Sequence, residues 1–283
     1  MGATRDIAVG TVAEKVRDLF IEAGRTLGED VTSAITEACS SEKSEMGRWA
    51  LEQIIENIEV ARRELLPLCQ DTGIAVIFVE IGCDVRLTGG DLNDAIQQGV
   101  REAYRDGYLR KSVCDPLSRE NTGDNTPAII HTEFVKGDRI RLIVMPKGGG
   151  SENMSTVKML MPSDGVKGIK QQVVETVRQA GSNPCPPVIV GVGIGGTMEM
   201  SAILAKKALA RPLGLPHGTD TRLAEMEKEL LKTINDLGIG PQGYGGTTTA
   251  LAVHIEMMPC HIASLPVAVN IQCHVARHKE ALI

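Results

Sequence analysis

The chain has 283 residues, of which 42% are apolar and 23% charged, as expected for a globular protein that buries a sizeable core. A net charge of -6 and an aromatic content of only 2% argue against nucleic-acid binding, which needs basic patches and stacking platforms. No apolar run reaches the length of a membrane span, and the polar N-terminus lacks a signal-peptide pattern, so we expect a cytoplasmic protein.

The N-terminal part of the sequence, residues 1–66, predicts helices. Apolar side chains recur at helical spacing in the segment 12–24, and Asp30 is placed to cap a second helix. A third helix is expected from Ser44 onwards. Pro67 should end it, because proline cannot continue a helix.

Strand and helix patterns alternate after Pro67. The β-branched run IAVIFVEIG predicts a buried strand, and an amphipathic helix is expected after Asp91. A polar stretch with two prolines follows at 108–128, and loops of this length are usually functional or mobile. The segment 128–146 then predicts a β-hairpin with its turn at residues 136–138.

The C-terminal part of the sequence contains further strand patterns. ALAVHIEMM and SLPVAVNIQ are both rich in β-branched residues, and neither a repeat nor a flexible linker divides the chain. We therefore predict a mixed α/β fold in a single domain over 1–283. Its helical region, 1–66, is followed by an α/β body with mixed sheets at 67–283.

A glycine pattern typical of dinucleotide-binding loops lies between a predicted strand and a predicted helix. Gly191, Gly193 and Gly196 fit G-x-G-x-x-G, but no strand ending in an acidic residue follows, because 211–220 does not have a strand pattern. The pattern is therefore better explained by a tight strand-to-helix turn. The helix N-terminus near Thr197 could also receive an anion.

Three consecutive glycines, Gly148–Gly150, occur in the motif KGGGSEN. Glycine permits positive φ angles, and the absence of side chains lets backbone N–H groups approach a ligand or cluster closely. Three glycines exceed what a simple turn needs. We expect a functional role for this loop.

The sequence contains seven cysteines and no C-x-x-C pair, which argues against disulfides and against zinc ribbons. They are Cys39, Cys69, Cys83, Cys114, Cys185, Cys260 and Cys273. A lone cysteine is usually a small core residue. Three of them, however, have contexts that favour access: Cys69 precedes Gln-Asp-Thr-Gly, Cys185 lies among three prolines, and Cys273 ends a strand.

Three thiolates have a specific chemical meaning. A four-iron cluster held by three cysteines leaves one iron open as a Lewis acid, which hydration and dehydration of hydroxy acids require. Suitable polar groups lie nearby in the sequence: Asp71 could act as an acid or base, Arg110 and Lys111 could bind a carboxylate, and His261 could move a proton. The alternatives are a turn residue, solvated loop charges and a structural histidine.

Six motifs, in this order, resemble one known family. The chain is similar from about Val16 to its C-terminus to the α subunit, or N-terminal domain, of class I iron–sulfur fumarases and L-tartrate dehydratases. The motifs are CQDTG, LRKSVCDPLSRENTGDNTPA, KGGGSEN, NPCPP, GVGIGG and GPQGYGGTTTALAVHIE. The resemblance implies the fold of the class I fumarase N-terminal domain.

The resemblance also implies a cofactor and a set of site residues. Cys69, Cys185 and Cys273 would bind a 4Fe-4S cluster with one iron open to substrate. Asp71 would be a catalytic proton donor. The further substrate contacts implied by the resemblance are Gln70, Arg110, the backbone of Gly150, and His261.

The implied activity is that of a hydro-lyase subunit. We expect reversible hydration of fumarate to L-malate, with L-tartrate dehydration as the alternative. In this family the catalytic base belongs to the second half of the enzyme, so we expect a β subunit, an α2β2 assembly and no activity of this chain alone. A more distant alternative is a redox protein in which Cys260 is a fourth cluster ligand.

Overall fold

The computed structural model describes residues 4–283, which form two compact units. The first unit contains the chain up to Gly28, Ile58–Gly149 and Arg277–Ile283; the second contains Glu29–Asn57 and Gly150–Ala276. Each unit has its own sheet and its own apolar core. The predicted mixed α/β fold is confirmed, and the single domain stays a prediction.

The first unit has a four-stranded mixed sheet and a separate pair of parallel strands. Its strands are β1 Arg5–Ala8, β2 Ile74–Gly82, β3 Val85–Thr88, β4 Ile129–Val135, β5 Ile140–Lys147 and β10 Lys279–Leu282. The sheet has the order β10-β5-β2-β4, and β1 pairs with β3. The strand β1 corrects the prediction of an all-helical N-terminal region. Its partner is remote in sequence, with Asp6 opposite Arg86, so no local pattern revealed it.

Two amphipathic helices share the apolar core of the first unit with its sheet. They are α1 Val9–Arg25 and α4 Leu92–Asp106, which pack against each other. Asp91 caps α4 as predicted, since its side chain accepts a hydrogen bond from the Asp94 N–H at 3.0 Å. Phe20 of α1 and Tyr104 of α4 are fully buried in the core. Burial of these apolar faces is the main stabilising contribution to such helices.

The predicted hairpin is wrong in its pairing. β4 and β5 are both strands, but β2 lies between them, parallel to β4 and antiparallel to β5. The turn at Gly137 instead lies beside the end of β2, where the Gly137 carbonyl accepts a hydrogen bond from the Asp84 N–H at 2.9 Å. The sequence pattern predicts strands and turns, whereas the pairing depends on a strand more than 40 residues earlier in the chain.

The second unit contains a mixed sheet of order β6-β9-β7-β8. Its strands are β6 Thr156–Leu160, β7 Val188–Gly195, β8 Ala250–Met258 and β9 Leu265–Gln272. Its complete helices are α2 Glu29–Ser41, α6 Gly165–Ala180, α7 Met198–Ala208 and α8 Thr221–Asn235. It also contains α3 Glu45–Glu64 as far as Asn57, and all of the short helix α5 Gly149–Glu152 except Gly149. Asp30 does not cap α2, because it lies within the first turn, where it accepts the Leu213 N–H at 2.8 Å.

The G-x-G-x-x-G pattern has a packing explanation in the second unit. A Cβ on Gly191 would lie 2.1 Å from the carbonyl oxygen of Ala205, and a Cβ on Gly193 would lie 1.9 Å from that of Ser201. Both contacts are with α7. The glycines of β7 therefore let the helix approach the strand closely, while Gly196, at φ +66°, supplies the turn.

A buried carboxylate joins two segments of the second unit. Glu42, between α2 and α3, is 1% exposed and accepts backbone hydrogen bonds from Lys43, Ser44, Thr247 and Thr248 at 2.7–3.0 Å. Burial by itself would raise the pKa of the Glu42 carboxyl, but the hydrogen bonds outweigh it and lower the pKa to about 2. Glu42 is therefore ionised at neutral pH.

Within residues 4–283, no helix combines the length and hydropathy needed to cross a bilayer.

Candidate functional site

The carboxylate of Asp71 is held by two backbone donors in the first unit. Asp71 follows Cys69 and Gln70 in the segment that joins α3 to β2. Its Oδ1 accepts the Gly73 N–H at 3.1 Å and its Oδ2 accepts the Gly149 N–H at 2.8 Å. About 30% of the side chain remains exposed. The carboxylate is thus fixed in orientation and still accessible, as an acid or base in catalysis must be.

Arg110 lies beside this carboxylate. Its Nη2 is 3.8 Å from Asp71 Oδ1, and its side chain is 56% exposed. Both residues are candidates predicted from the sequence, and the structure brings them together. Because the guanidinium is largely in water, this pair contributes little to stability. Its planar set of donors is free to bind a carboxylate.

The triple glycine lets the backbone pass close to Asp71. A Cβ on Gly148 would lie 3.1 Å from Asp71 Oδ2, a tighter contact than side-chain carbons normally make. None of Gly148, Gly149 and Gly150 has a positive φ angle in the described chain. Close approach of the backbone to the Asp71 carboxylate therefore explains the glycine at Gly148, whereas a left-handed backbone conformation does not. The predicted approach to a ligand or cluster stays a prediction. Gly150 is exposed and belongs to the second unit.

A buried hydrogen-bond network braces the Asp71 segment from the core side. The Tyr104 hydroxyl lies 2.9 Å from the carbonyl oxygens of both Thr72 and Gly73, and the Asn125 amide donates to Gly73 at 3.3 Å. The Thr72 hydroxyl donates to the Arg110 carbonyl at 2.6 Å. This network ties the segment that carries Asp71 to the loop that carries Arg110.

Tyr104 and Asn125 are suited to this role. Burial raises the pKa of the Tyr104 hydroxyl well above its usual value, so it stays a neutral donor. Asn125 has a positive φ of 63°, and its Oδ1 also accepts the Ser112 N–H at 2.6 Å. An asparagine tolerates this backbone better than most residues. The long loop predicted at 108–128 is therefore anchored at Asn125.

Arg277 also belongs to this site, although the sequence did not predict it. It is only 3% exposed, and its Nη2 donates to the carbonyl oxygen of Asp71. The residue lies 206 positions after Asp71, between the third selected cysteine and β10. The local pattern in the sequence is an arginine directly after two apolar residues, Val275 and Ala276. This pattern does not indicate what the arginine contacts.

None of the three selected cysteines forms a disulfide within residues 4–283. Cys69, in the first unit, and Cys273, in the second, are partly buried, whereas Cys185 is exposed. Cys185 has a positive φ of 54°. This conformation costs a non-glycine residue on the order of 1 kcal/mol and is retained mainly at functional sites.

The structure joins the segments of Cys185 and Cys273 within the second unit. The carbonyl oxygen of Cys185 lies 2.9 Å from Nδ1 of His274, the residue after Cys273, and also accepts the His274 N–H at 3.5 Å. Cysteines that form no disulfide and are not fully buried fit the donor set of an iron–sulfur cluster. Across residues 4–283, no group of three His, Cys, Asp or Glu side chains is arranged around a single metal ion.

His261 lies in the exposed loop between β8 and β9 of the second unit. Its Nδ1 accepts the Ala263 N–H at 3.1 Å, so a neutral ring carries its proton on Nε2. The neighbouring Cys260 thiol donates to the Ser264 carbonyl at 3.1 Å. His261 thus offers an oriented N–H donor. Gln70, the remaining predicted contact, is exposed next to Asp71 in the first unit.

The family model described as fumarate hydratase (Fumerase) matches residues 13–282, nearly the whole chain. The chain belongs to the fumarate hydratase family. The resemblance inferred from the six motifs is therefore confirmed. Membership of this family indicates that the chain belongs to a hydro-lyase. It does not distinguish fumarate from other substrates of the family.

Several proteins similar to this fumarate hydratase family member have names that refer to L(+)-tartrate and not to fumarate. A protein of Methanocaldococcus jannaschii named "Putative L(+)-tartrate dehydratase subunit alpha" is 48% identical over 93% of this chain and 94% of its own length. The "L(+)-tartrate dehydratase subunit alpha" of Escherichia coli O157:H7 is 34% identical over 98% of this chain and 92% of its own length. The same-named protein of Escherichia coli K12 is 33% identical over the same shares.

Proposed function

We propose that the chain is the α subunit of a two-subunit iron–sulfur hydro-lyase that reversibly hydrates fumarate to L-malate. Family membership supports the reaction class. The observation that carries the proposal is the Asp71 carboxylate, held by the Gly149 N–H at 2.8 Å with the Arg110 guanidinium 3.8 Å from its other oxygen. An oriented carboxyl beside a carboxylate-binding arginine is what water elimination from a hydroxy acid requires.

Cys69, Cys185 and Cys273 are the proposed ligands of a 4Fe-4S cluster. None of the three forms a disulfide within the described residues, and none is fully buried. When bound, the cluster supplies one open iron, a Lewis acid that polarises the hydroxyl and carboxylate of the substrate. We place the protein in the cytoplasm, where reducing conditions keep such thiols available.

The residues of this chain provide the proton donor and the substrate-binding groups of the proposed reaction. In the dehydration direction the Asp71 carboxyl gives a proton to the departing hydroxyl, which leaves as water. A base from the β subunit takes the proton on the neighbouring carbon, and the electron pair of that bond forms the double bond. Arg110 binds a substrate carboxylate, while Gln70, His261 and the Gly150 backbone orient the rest of the molecule. Hydration is the reverse.

L-tartrate dehydration is the second candidate, favoured by the names of the relatives. Loss of water from tartrate gives the enol of oxaloacetate, which converts to oxaloacetate. Tartrate differs from malate by one hydroxyl group, and one hydrogen-bond partner for that group in either subunit would decide between the substrates. Both reactions use the same Asp71, Arg110 and cysteine roles.

A β partner is part of the proposal. The relatives are named α subunits, and the resemblance assigns the catalytic base to a second subunit. We propose an α2β2 assembly in which this chain alone is inactive. The adjacent gene is the first place to seek the β subunit.

The test is anaerobic reconstitution with iron and sulfide, followed by addition of the β subunit. We expect a cluster in the wild-type protein and in Cys83→Ser, whose exposed thiol lies just after β2. Cys69→Ser should lose it, as measured by iron content and absorption. Rates with fumarate and L-tartrate, measured side by side, then identify the substrate.

Two outcomes would contradict the proposal. The first is a wild-type complex that forms no cluster, or a Cys69→Ser variant that keeps a complete one. The second is a cluster whose four irons are all ligated and whose spectrum malate and tartrate leave unchanged. That second result would favour an electron carrier with Cys260 as the fourth ligand.

A further inference from the structure

Arg277 is a buried cation with most of its donors unused. Its side chain is in the first unit and only 3% exposed. Nη2 donates to the Asp71 carbonyl, but Nε and Nη1 are buried without a hydrogen-bond partner among residues 4–283. A guanidinium has five N–H donors, and buried arginines normally have theirs satisfied.

This arrangement is unfavourable for stability. Taking a charge out of water costs several kcal/mol, and one hydrogen bond to a neutral carbonyl does not offset that cost. An apolar side chain of similar length would fill the same space without the desolvation penalty. The presence of arginine therefore calls for an explanation other than folding.

We propose that Arg277 is a positioning residue of the hydro-lyase reaction, holding the Asp71 main chain so that its carboxyl group meets the substrate in one orientation. The inference rests on the proposed function. Asp71 is then held at three points: the carbonyl by Arg277, Oδ1 by the Gly73 N–H and Oδ2 by the Gly149 N–H. The two backbone donors orient the carboxylate, and Arg277 holds the carbonyl of the peptide that carries it.

The position of Tyr104 agrees with this role. Its hydroxyl contacts the carbonyls of Thr72 and Gly73, the next two residues. Arg277 and Tyr104 together contact three consecutive carbonyl oxygens, from Asp71 to Gly73, and the single Tyr104 hydrogen is shared between two of them. The main chain of a segment held in this way cannot shift away from the site without breaking a buried hydrogen bond.

The decisive variant is Arg277→Met, which keeps much of the side-chain volume and removes the charge and the donors. The matched control is Arg25→Met at the C-terminal end of α1, because Arg25 also has a buried Nε without a partner. Measured on the reconstituted complex, kcat of Arg277→Met should fall about 100-fold, as expected when a reacting group is misplaced by about 1 Å. KM should change much less, and Arg25→Met should retain the wild-type kcat.

The unfolding temperature of Arg277→Met and the kcat of a conservative variant distinguish a positioning role from a structural role. Arg277→Met should unfold at a temperature equal to or above that of the wild-type protein, and its cluster content should be unchanged. Arg277→Lys, which keeps the charge and a donor, should recover part of the lost kcat. A large loss of stability or of iron in Arg277→Met, or a kcat equal to that of the wild-type protein, would overturn the inference.

Hydrogen exchange gives a readout that does not depend on activity. In Arg277→Met the peptide covering 69–73 should exchange faster than in the wild-type protein and in Arg25→Met, because its first anchored carbonyl is released. Unchanged exchange contradicts the positioning role whatever the substrate. An inactive wild-type complex would instead count against the proposed function, so the two failures are distinguishable.

Discussion

The backbone N–H of Gly149 donates to Oδ2 of Asp71 at 2.8 Å, across 78 positions of sequence. This hydrogen bond joins two motifs, CQDTG and KGGGSEN, whose contact could not be predicted from the sequence. It also explains the neighbouring glycine, since a Cβ on Gly148 would press on the same carboxylate oxygen at 3.1 Å. The Asp71 carboxylate, which is the catalytic group of the proposed reaction, thus packs directly against the backbone of Gly148 and Gly149.

Gly148→Ala should reduce activity without unfolding the protein. The new methyl group would displace Oδ2 of Asp71 by a few tenths of an ångström, and a shift of this size should lower kcat of the reconstituted complex about tenfold. Steady-state rates and thermal unfolding measure the two effects. Gly10→Ala is the control, because a Cβ there has no atom within 4 Å. Equal rates in the two variants would contradict this account of the glycine loop.

Tyr104→Phe should weaken both stability and activity. The variant keeps the ring in the core but removes the hydroxyl that contacts Thr72 and Gly73, which should lower the free energy of unfolding by about 1 kcal/mol. Denaturant titration measures this change, and kcat should fall as the Asp71 segment loosens. Tyr108→Phe, at a tyrosine that is 86% exposed, should change neither quantity.

Gly193→Ala should destabilise the second unit. A methyl group 1.9 Å from the Ser201 carbonyl forces α7 away from β7, and overpacking of this kind should cost about 3 kcal/mol or more. Chemical unfolding of the variant tests the expectation. A stable variant that had lost affinity for a dinucleotide would instead favour the nucleotide-binding interpretation of the glycine pattern.

Glu42 should make the protein sensitive to acid. The folded-state pKa of about 2 lies below the usual value of 4.5, so the carboxylate stabilises the fold at pH values above about 4.5. That contribution, on the order of 3 kcal/mol, is lost as the pH falls towards 2. Glu42→Gln should therefore be much less stable than wild type at pH 7, with the difference shrinking in acid.

Unfolding free energies measured between pH 7 and pH 3 test this expectation. The control is Glu37→Gln, because Glu37 is exposed on α2. It should follow the wild-type curve. A difference between Glu42→Gln and wild type that does not change with pH would show that the hydrogen bonds of Glu42 do not depend on its charge.

Local patterns were sufficient for much of this protein. Helical spacing predicted α1, the β-branched run predicted β2, and Asp91 was recognised as the cap of α4. Six motifs in order identified the family and selected Asp71 and Arg110, which the structure brings together. These features succeed because propensity, periodicity and motif order act over a few residues at a time.

Only the tertiary structure decided the contacts between remote segments. It placed β2 between β4 and β5, so that the predicted hairpin is absent, and it explained the glycines of β7 by the closeness of α7. It also revealed Arg277, whose contact with Asp71 joins residues 206 positions apart. The sequence by itself predicted most of the elements and identified the family to which the chain belongs. Pairing, packing and the bracing of Asp71 depend on which surfaces meet when the cores form, which no local pattern encodes.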